Sequence, residues 1–136
     1  MALDQEHLEG LAGFRFALRR FLAASESISR EAGVTPQQYQ AMLAIGAKPG
    51  EPMSVKELSE QLLLTHHAAV QMVDRLSRAG LAERSRSQVD RRSVELRLTP
   101  LGRQMLEQLA SLHLEEMLRQ EPLLARSLRR LKGMGA

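Results

Sequence analysis

A chain of 136 residues is one domain's worth, and an ordinary apolar fraction lets it build a real core. It contains no cysteine, which excludes disulfides, cysteine zinc fingers and thiol redox sensing, and its aromatic content is confined to three Phe and one Tyr, too few for a base-stacking platform. The net charge is only +3, but the stretch from Arg75 to Arg103 holds eight arginines against three carboxylates, a local +5 that leaves −2 for the remainder and points to a focused polyanion-binding surface.

From about Asp4 to Glu31, Leu8, Leu11, Phe14, Leu18, Phe21, Ser25 and Ile28 alternate steps of three and four. This spacing predicts a long helix with a near-coiled-coil seam, packed on its own symmetry mate or on a partner's C-terminal helices. The competing reading is a helix buried within one subunit. Gly33 ends it. Thr35-Pro36-Gln37-Gln38 then opens a second helix with a capping box, and Tyr39, Met42, Leu43 and Ile45 carry its apolar side. Lys48-Pro49-Gly50-Glu51-Pro52 is a loop, and Met53 is a candidate for a short strand contact.

A second capping box, Ser54-Val55-Lys56-Glu57, opens a short helix to about Gln61 with Leu58, Leu62 and Val55 facing inward. A turn at Leu63-Leu64 follows, without the glycine such turns often hold. Thr65 caps the next helix and Gly80 ends it. Ala69, Met72, Val73 and Leu76 fall at i, i+3, i+4 and i+7, so they line one buried face, leaving His66, His67, Val70, Gln71 and Asp74 on the other. Leu81–Arg86 and Ser93–Leu98 read as the two strands of a hairpin around a polar turn, Ser87 to Arg92, with Val94, Leu96 and Leu98 on one face. Thr99-Pro100 caps a further helix striped by Leu101, Met105, Leu109 and Leu112 and widened by Leu106, Met117 and Leu118. Pro122 is expected to separate it from a last helix, about Leu123 to Lys132, with residues 133–136 frayed.

Helix, short turn, helix and basic hairpin is the layout of a winged helix-turn-helix, in which the second helix enters the major groove. The run from Val73-Asp74-Arg75-Leu76 through Gly80-Leu81 to Asp90-Arg91-Arg92 and Leu98-Thr99-Pro100-x-Gly102 closely resembles the MarR family of bacterial transcription regulators, and the flanking helices sit where that family's dimerisation helices sit. The resemblance implies a mainly α fold with a small β-wing. A winged-helix DNA-binding lobe would span about 35–100, and the terminal helices, about 4–31 and 100–132, would form a dimerisation region. It further implies a cytoplasmic homodimer bound to a near-palindromic operator on double-stranded DNA, usually a repressor and often released by a small-molecule effector. No cofactor is expected. No apolar run is long enough to cross a membrane and no signal peptide is visible.

Carried over by position, the helix from Thr65 is the recognition helix, Arg91 and Arg92 approach minor groove and phosphates, and Asp90 positions a neighbouring arginine. Arginine suits a wing tip because its flat guanidinium neutralises phosphate and fits a narrow A·T-rich groove. Gln71 can pair with adenine, and Val70 or Ala68 can pack on a thymine methyl. His66 and His67 lie in the first turn, where the helix dipole favours phosphate. Arg84 and Arg86 are further phosphate candidates. The family often has hydroxyl residues where this chain has Ala68 and Val70, and rarely the histidine pair, so base preference does not carry over.

A candidate effector pocket lies where the N-terminal helix meets the DNA-binding lobe, near Phe14, Phe21 and Tyr39, against the plainer reading that these fill core. His66 and His67 point about 100° apart on a helix and chelate poorly. His113 with Glu116, and His7 as a further ligand, would make a partial metal site, the competing reading being polar residues near a dimer interface, and no metal is expected. An enzyme would need a convergent nucleophile and base, a Gly-rich phosphate loop or a Gly-x-Ser-x-Gly elbow, and none is present, so none is expected. A winged-helix protein-interaction module that never touches DNA is the alternative function. Only the basic wing argues against it.

Overall fold

The reciprocal caps that the sequence spacing predicts organise the computed structural model, which describes residues 2–50 and 52–133. Thr35 Oγ1 accepts the Gln38 N–H at 3.1 Å while Gln38 Oε1 accepts the Thr35 N–H at 2.8 Å, opening α2 (Pro36–Ala47). Ser54 and Glu57 do the same for α3 (Val55–Gln61), and Asp4 and His7 for α1 (Gln5–Glu31). Thr65 caps α4 (His66–Arg78), which closes at Gly80, whose φ of +74° is the left-handed conformation a glycine adopts without a Cβ penalty. The strands β1 (Met53–Ser54), β2 (Ala82–Arg86) and β3 (Val94–Leu98) form one antiparallel sheet in the order β1-β3-β2, with Met53 and Arg84 both facing Leu96 in register. The short strand contact expected at Met53 is therefore the third strand of the wing, two residues long.

The core sits in the lobe made by α2, α3, α4 and the sheet, with the first turns of α5 (Pro100–Lys132) closing it. Met42, Ile45, Leu58, Leu76, Leu96 and Leu109 are fully buried there, each contributing about 2 kcal/mol of burial. Ala69, Met72, Val73 and Leu76 are all buried, as their spacing requires. Where α4, β3 and α5 converge, Thr99 ties three elements at once. Its hydroxyl donates to the Gly80 carbonyl at 2.6 Å and accepts the Gly102 N–H at 3.0 Å, and its own N–H donates to the Leu81 carbonyl at 3.1 Å.

The terminal helices depart from expectation in three ways. First, α5 runs unbroken through Pro122. The proline removes one N–H and crowds the carbonyl four residues back, yet the helix continues past it, and the part beyond packs on α1. Leu123 and Ser127 lie against Gly13, and Leu131 against Gly10. Second, only the C-terminal part of the expected α1 seam, Phe21, Ser25 and Ile28, turns inward within the chain. His7, Gly10, Ala17, Ser25 and Ser29 are buried, while Leu8, Leu11, Phe14 and Leu18 remain exposed. Small residues let the two helices approach closely, and hydropathy spacing does not register them. Third, the buried face of α5 is Gly102, Leu106, Leu109, His113, Gln120 and Ser127, one step round from the expected stripe, so that Leu101, Leu112, Met117 and Leu118 are exposed. Of the residues expected to fray, Gly133 instead caps α5, its N–H bonded to the Arg129 carbonyl, and 134–136, like Glu51 of the expected loop, lie outside the described residues.

Candidate nucleic-acid interface

The face of α4 opposite the core is uncovered. His66, His67 and Gln71 are exposed and Val70 half-buried. They form two rows: His66 and Val70, one turn apart, look toward the wing, and His67 and Gln71 look away from it. Between the first row and the wing lies a groove of about 330 Å³, lined by Val55 and Lys56 from α3, His66 and Val70 from α4, and Asp90, Arg92, Ser93 and Val94 from the wing. Three of the sequence-predicted residues, His66, Val70 and Arg92, thus converge on one concavity with Asp90.

The wing turn is braced by its own hydrogen bonds. Ser87 is buried, and its Oγ accepts the N–H groups of Val89 and Asp90, each at 3.2 Å. The Asp90 carboxylate accepts the Arg92 N–H at 3.0 Å, and the Asp90 carbonyl accepts the Ser93 N–H at 2.9 Å. Asp90 therefore meets Arg92 through its backbone, not its guanidinium, which leaves the side chain exposed. Val89 at the tip is wholly exposed at 99%. Arg91 faces the other side of the hairpin, where it lines a hollow of about 510 Å³ with Arg86, Ser87 and Gln88. Arg84 is not a free cation: its guanidinium donates to the carboxylate of Asp74 on α4.

Sequence reasoning missed Lys56, which lines the groove, and Ser87, which braces the turn. Lys56 stands inside the second capping box, whose geometry fixes which way each of its residues faces, and that was the available signal. Lys48 was also missed. Its ammonium bonds Glu57 at 2.9 Å and the Pro52 carbonyl at 2.8 Å, and the bond from Lys48, aided by the Ser54 N–H, holds the Glu57 carboxyl below its ordinary value.

At the junction of α1, α2 and α5 lies a second cavity of about 460 Å³, walled by Phe21, Leu22, Tyr39, Leu43, Leu114 and Met117, with Ser25, Gln40 and His113 as its polar groups. Phe21 and Tyr39 of the expected pocket are there. Phe14 is not: it sits two turns earlier on α1, 37% exposed. Burial raises the Tyr39 phenol above its ordinary value. His113 is not a waiting ligand. Its Nδ1 donates to the Leu109 carbonyl at 2.7 Å, and its Nε2 meets the Ser25 hydroxyl at 2.8 Å. Glu116 is engaged by Arg119 and Gln120, and the bond from Gln120, then that from Arg119, lowers its carboxyl. His7 lies 18 residues before Ser25 on the same helix, about 27 Å away at 1.5 Å per residue. The structure does not bring His7 together with His113 and Glu116, and among the described residues no three potential ligands cluster.

An exposed helix, a braced basic hairpin beside it and a three-stranded wing define a winged helix-turn-helix protein. A sequence profile described as MarR family matches residues 32–93. The transcriptional repressor CouR, solved bound to a 23-mer DNA duplex, is similar at 31% identity over 95% of this chain and 92% of that one, with a TM-score of 0.71. The HTH-type transcriptional regulator YkoM of Bacillus subtilis is 29% identical over 117 residues, covering 83% of this chain and 75% of that protein. AbsC, a MarR family transcriptional regulator from Streptomyces coelicolor, shares the fold with a TM-score of 0.76 at 18% identity over 88% of this chain and 81% of its own. The chain belongs to the MarR family of transcriptional regulators. Among the described residues, no helix is long and apolar enough to cross a membrane.

Proposed function

We propose that this regulator binds double-stranded DNA sequence-specifically, as a cytoplasmic homodimer on a near-palindromic operator, and represses transcription until a small-molecule effector releases it. The observation that carries the reading is the shared groove of His66, Val70 and Arg92, which pairs an uncovered helix face with a braced arginine tip. The helix suits the major groove and the tip the adjacent minor groove. CouR, solved on a DNA duplex, supports the same use of the fold here. Gln71 is the candidate base reader, and His67, Arg86 and Arg91 are candidate phosphate contacts. Arg84 serves DNA only if it leaves Asp74.

The homodimer rests on the apolar residues that α1 and α5 leave exposed, among them Leu8, Leu11, Leu18, Leu112, Leu114 and Leu118. Apolar side chains left exposed on two adjoining helices suit burial against a second copy. Two copies would set their recognition helices about one DNA turn, ~34 Å, apart. Residues 35–100 then act as the DNA-binding lobe and the terminal helices as the dimerisation region. The cavity at Phe21, Tyr39 and His113, lying between the two, is the candidate effector site, since a ligand there can favour one spacing of the lobes.

Selecting bound fragments from random duplex DNA tests the reading. A near-palindromic consensus is the expected result, with Gln71→Ala relaxing preference at one base pair by roughly 1–3 kcal/mol. Recovery of no enriched sequence would refute it.

A further inference from the structure

Leu63 is anomalous twice over. Its φ is +54°, the only positive φ at a non-glycine among the described residues, and its side chain is 92% exposed. The geometry has a clear origin. The Leu64 N–H bonds the Ser59 carbonyl at 2.9 Å and the Leu63 N–H bonds the Glu60 carbonyl at 3.3 Å, so α3 ends in a Schellman motif with Leu63 at its left-handed position. Glycine usually fills that position because a Cβ there crowds the following carbonyl. Leu62 and Leu64, on either side, turn at least partly inward, whereas Leu63 packs on nothing. A leucine that is strained and fully solvated adds nothing to the free protein.

Its place in the chain says what it adds to. Leu63 stands two residues before Thr65, the cap of α4, and within three residues, at most about 10 Å of chain, of His66 in the groove. A helix entering the major groove by this end carries Leu63 to the groove wall, where the apolar surface consists of thymine methyls and deoxyribose carbons. Backbone strain of this kind clusters at ligand-binding sites.

We propose that Leu63 is a DNA-contacting residue, an apolar anchor packed on a thymine methyl or deoxyribose at the major-groove edge, retained at the cost of fold stability. The proposal rests on the reading of α4 as the helix that enters DNA. The test compares wild type with Leu63→Gly, Leu63→Asn and Leu63→Met by thermal melting and by fluorescence anisotropy on the duplex recovered from the random pool. Leu63→Gly is expected to melt higher, by about 4 °C, yet to bind about tenfold more weakly. Leu63→Asn, which tolerates the left-handed conformation but is polar, weakens binding likewise, and Leu63→Met keeps affinity within about twofold. Replacing the duplex thymines by uracil one at a time separates the two contacts: a position whose methyl matters to wild type but not to Leu63→Gly identifies the base, and none identifies the sugar. Leu63→Gly binding as tightly as wild type overturns the proposal while leaving the DNA reading intact, and a lower melting temperature for Leu63→Gly overturns it too. Failure of wild type to select any duplex removes both.

Discussion

The imidazole of His113 lies flat on the phenol of Tyr39, with ring centroids 3.9 Å apart and planes 8° from parallel. Tyr39 belongs to the lobe that carries the wing, His113 to the long terminal helix, and Ser25, bonded to the same imidazole, to the other terminal helix. One buried side chain therefore fastens the lobe to both helices proposed to hold the dimer. His113→Ala removes the stack and leaves the Ser25 hydroxyl without its imidazole partner, while the Leu109 carbonyl keeps its helical bond from the backbone N–H of residue 113. It is expected to destabilise by about 2 kcal/mol in urea unfolding. A change within about 0.5 kcal/mol, the range of ordinary surface substitutions, contradicts the fastening role.

Gly102 sits where the first turn of α5 crosses the end of α4. A Cβ built there would fall 1.9 Å from the Leu81 carbonyl oxygen, which is backbone and already accepts the Thr99 N–H. Gly102→Ala must push α5 away from the lobe and is expected to destabilise by about 3 kcal/mol. A stabilised alanine variant, as occurs at an open helical glycine, would refute this packing.

Glu57 gives the acid limb of stability a specific contribution. Its carboxyl is held below the ordinary value of 4.5, chiefly by Lys48, so the bond stabilises fully above that pH and is lost as pH falls through the lowered native value. The Glu57 side chain is 44% exposed, which reduces the effect to about 0.5 kcal/mol. Lys48→Met should therefore lose less stability than wild type between pH 7 and acid, by that amount, in paired urea titrations. Identical losses would remove Lys48 as the cause.

Asp74 restrains Arg84 and places a negative charge on the face of α4 opposite the core. Asp74→Ala frees that arginine for phosphate. Binding to unrelated duplexes should tighten, and the slope of log affinity against log salt should steepen by about 0.9 per protomer. An unchanged slope means Arg84 does not reach DNA even when released.

The lobe was legible in the sequence because its signals are local. Thr35, Ser54, Thr65 and Thr99 all cap as their spacing requires, and the four buried residues of α4 follow a single period. The terminal helices were less legible because small residues decide how they pack. Gly10, Gly13 and Ser127 carry no hydropathic weight, yet they set the contact where α5 beyond Pro122 meets α1 and turn the leucines outward. At the candidate interface, residue type singled out Arg91 and Arg92 as candidates but not their division between the two sides of the hairpin, which follows from hydrogen bonds to Ser87 and Asp90. Arg84 looked available only because its partner lies ten residues away on another element.

The central claim is that the groove between α4 and the wing tip is where duplex DNA sits. Anisotropy titrations of wild type and Arg92→Ala, each from about 50 to 200 mM salt on the selected duplex and on an unrelated one, address it directly. The account predicts steep salt dependence for wild type, with Arg92→Ala weakening both duplexes by a similar factor and lowering the slope by about 0.9 per protomer. Salt-independent binding, or an Arg92→Ala titration that overlays wild type, would contradict it.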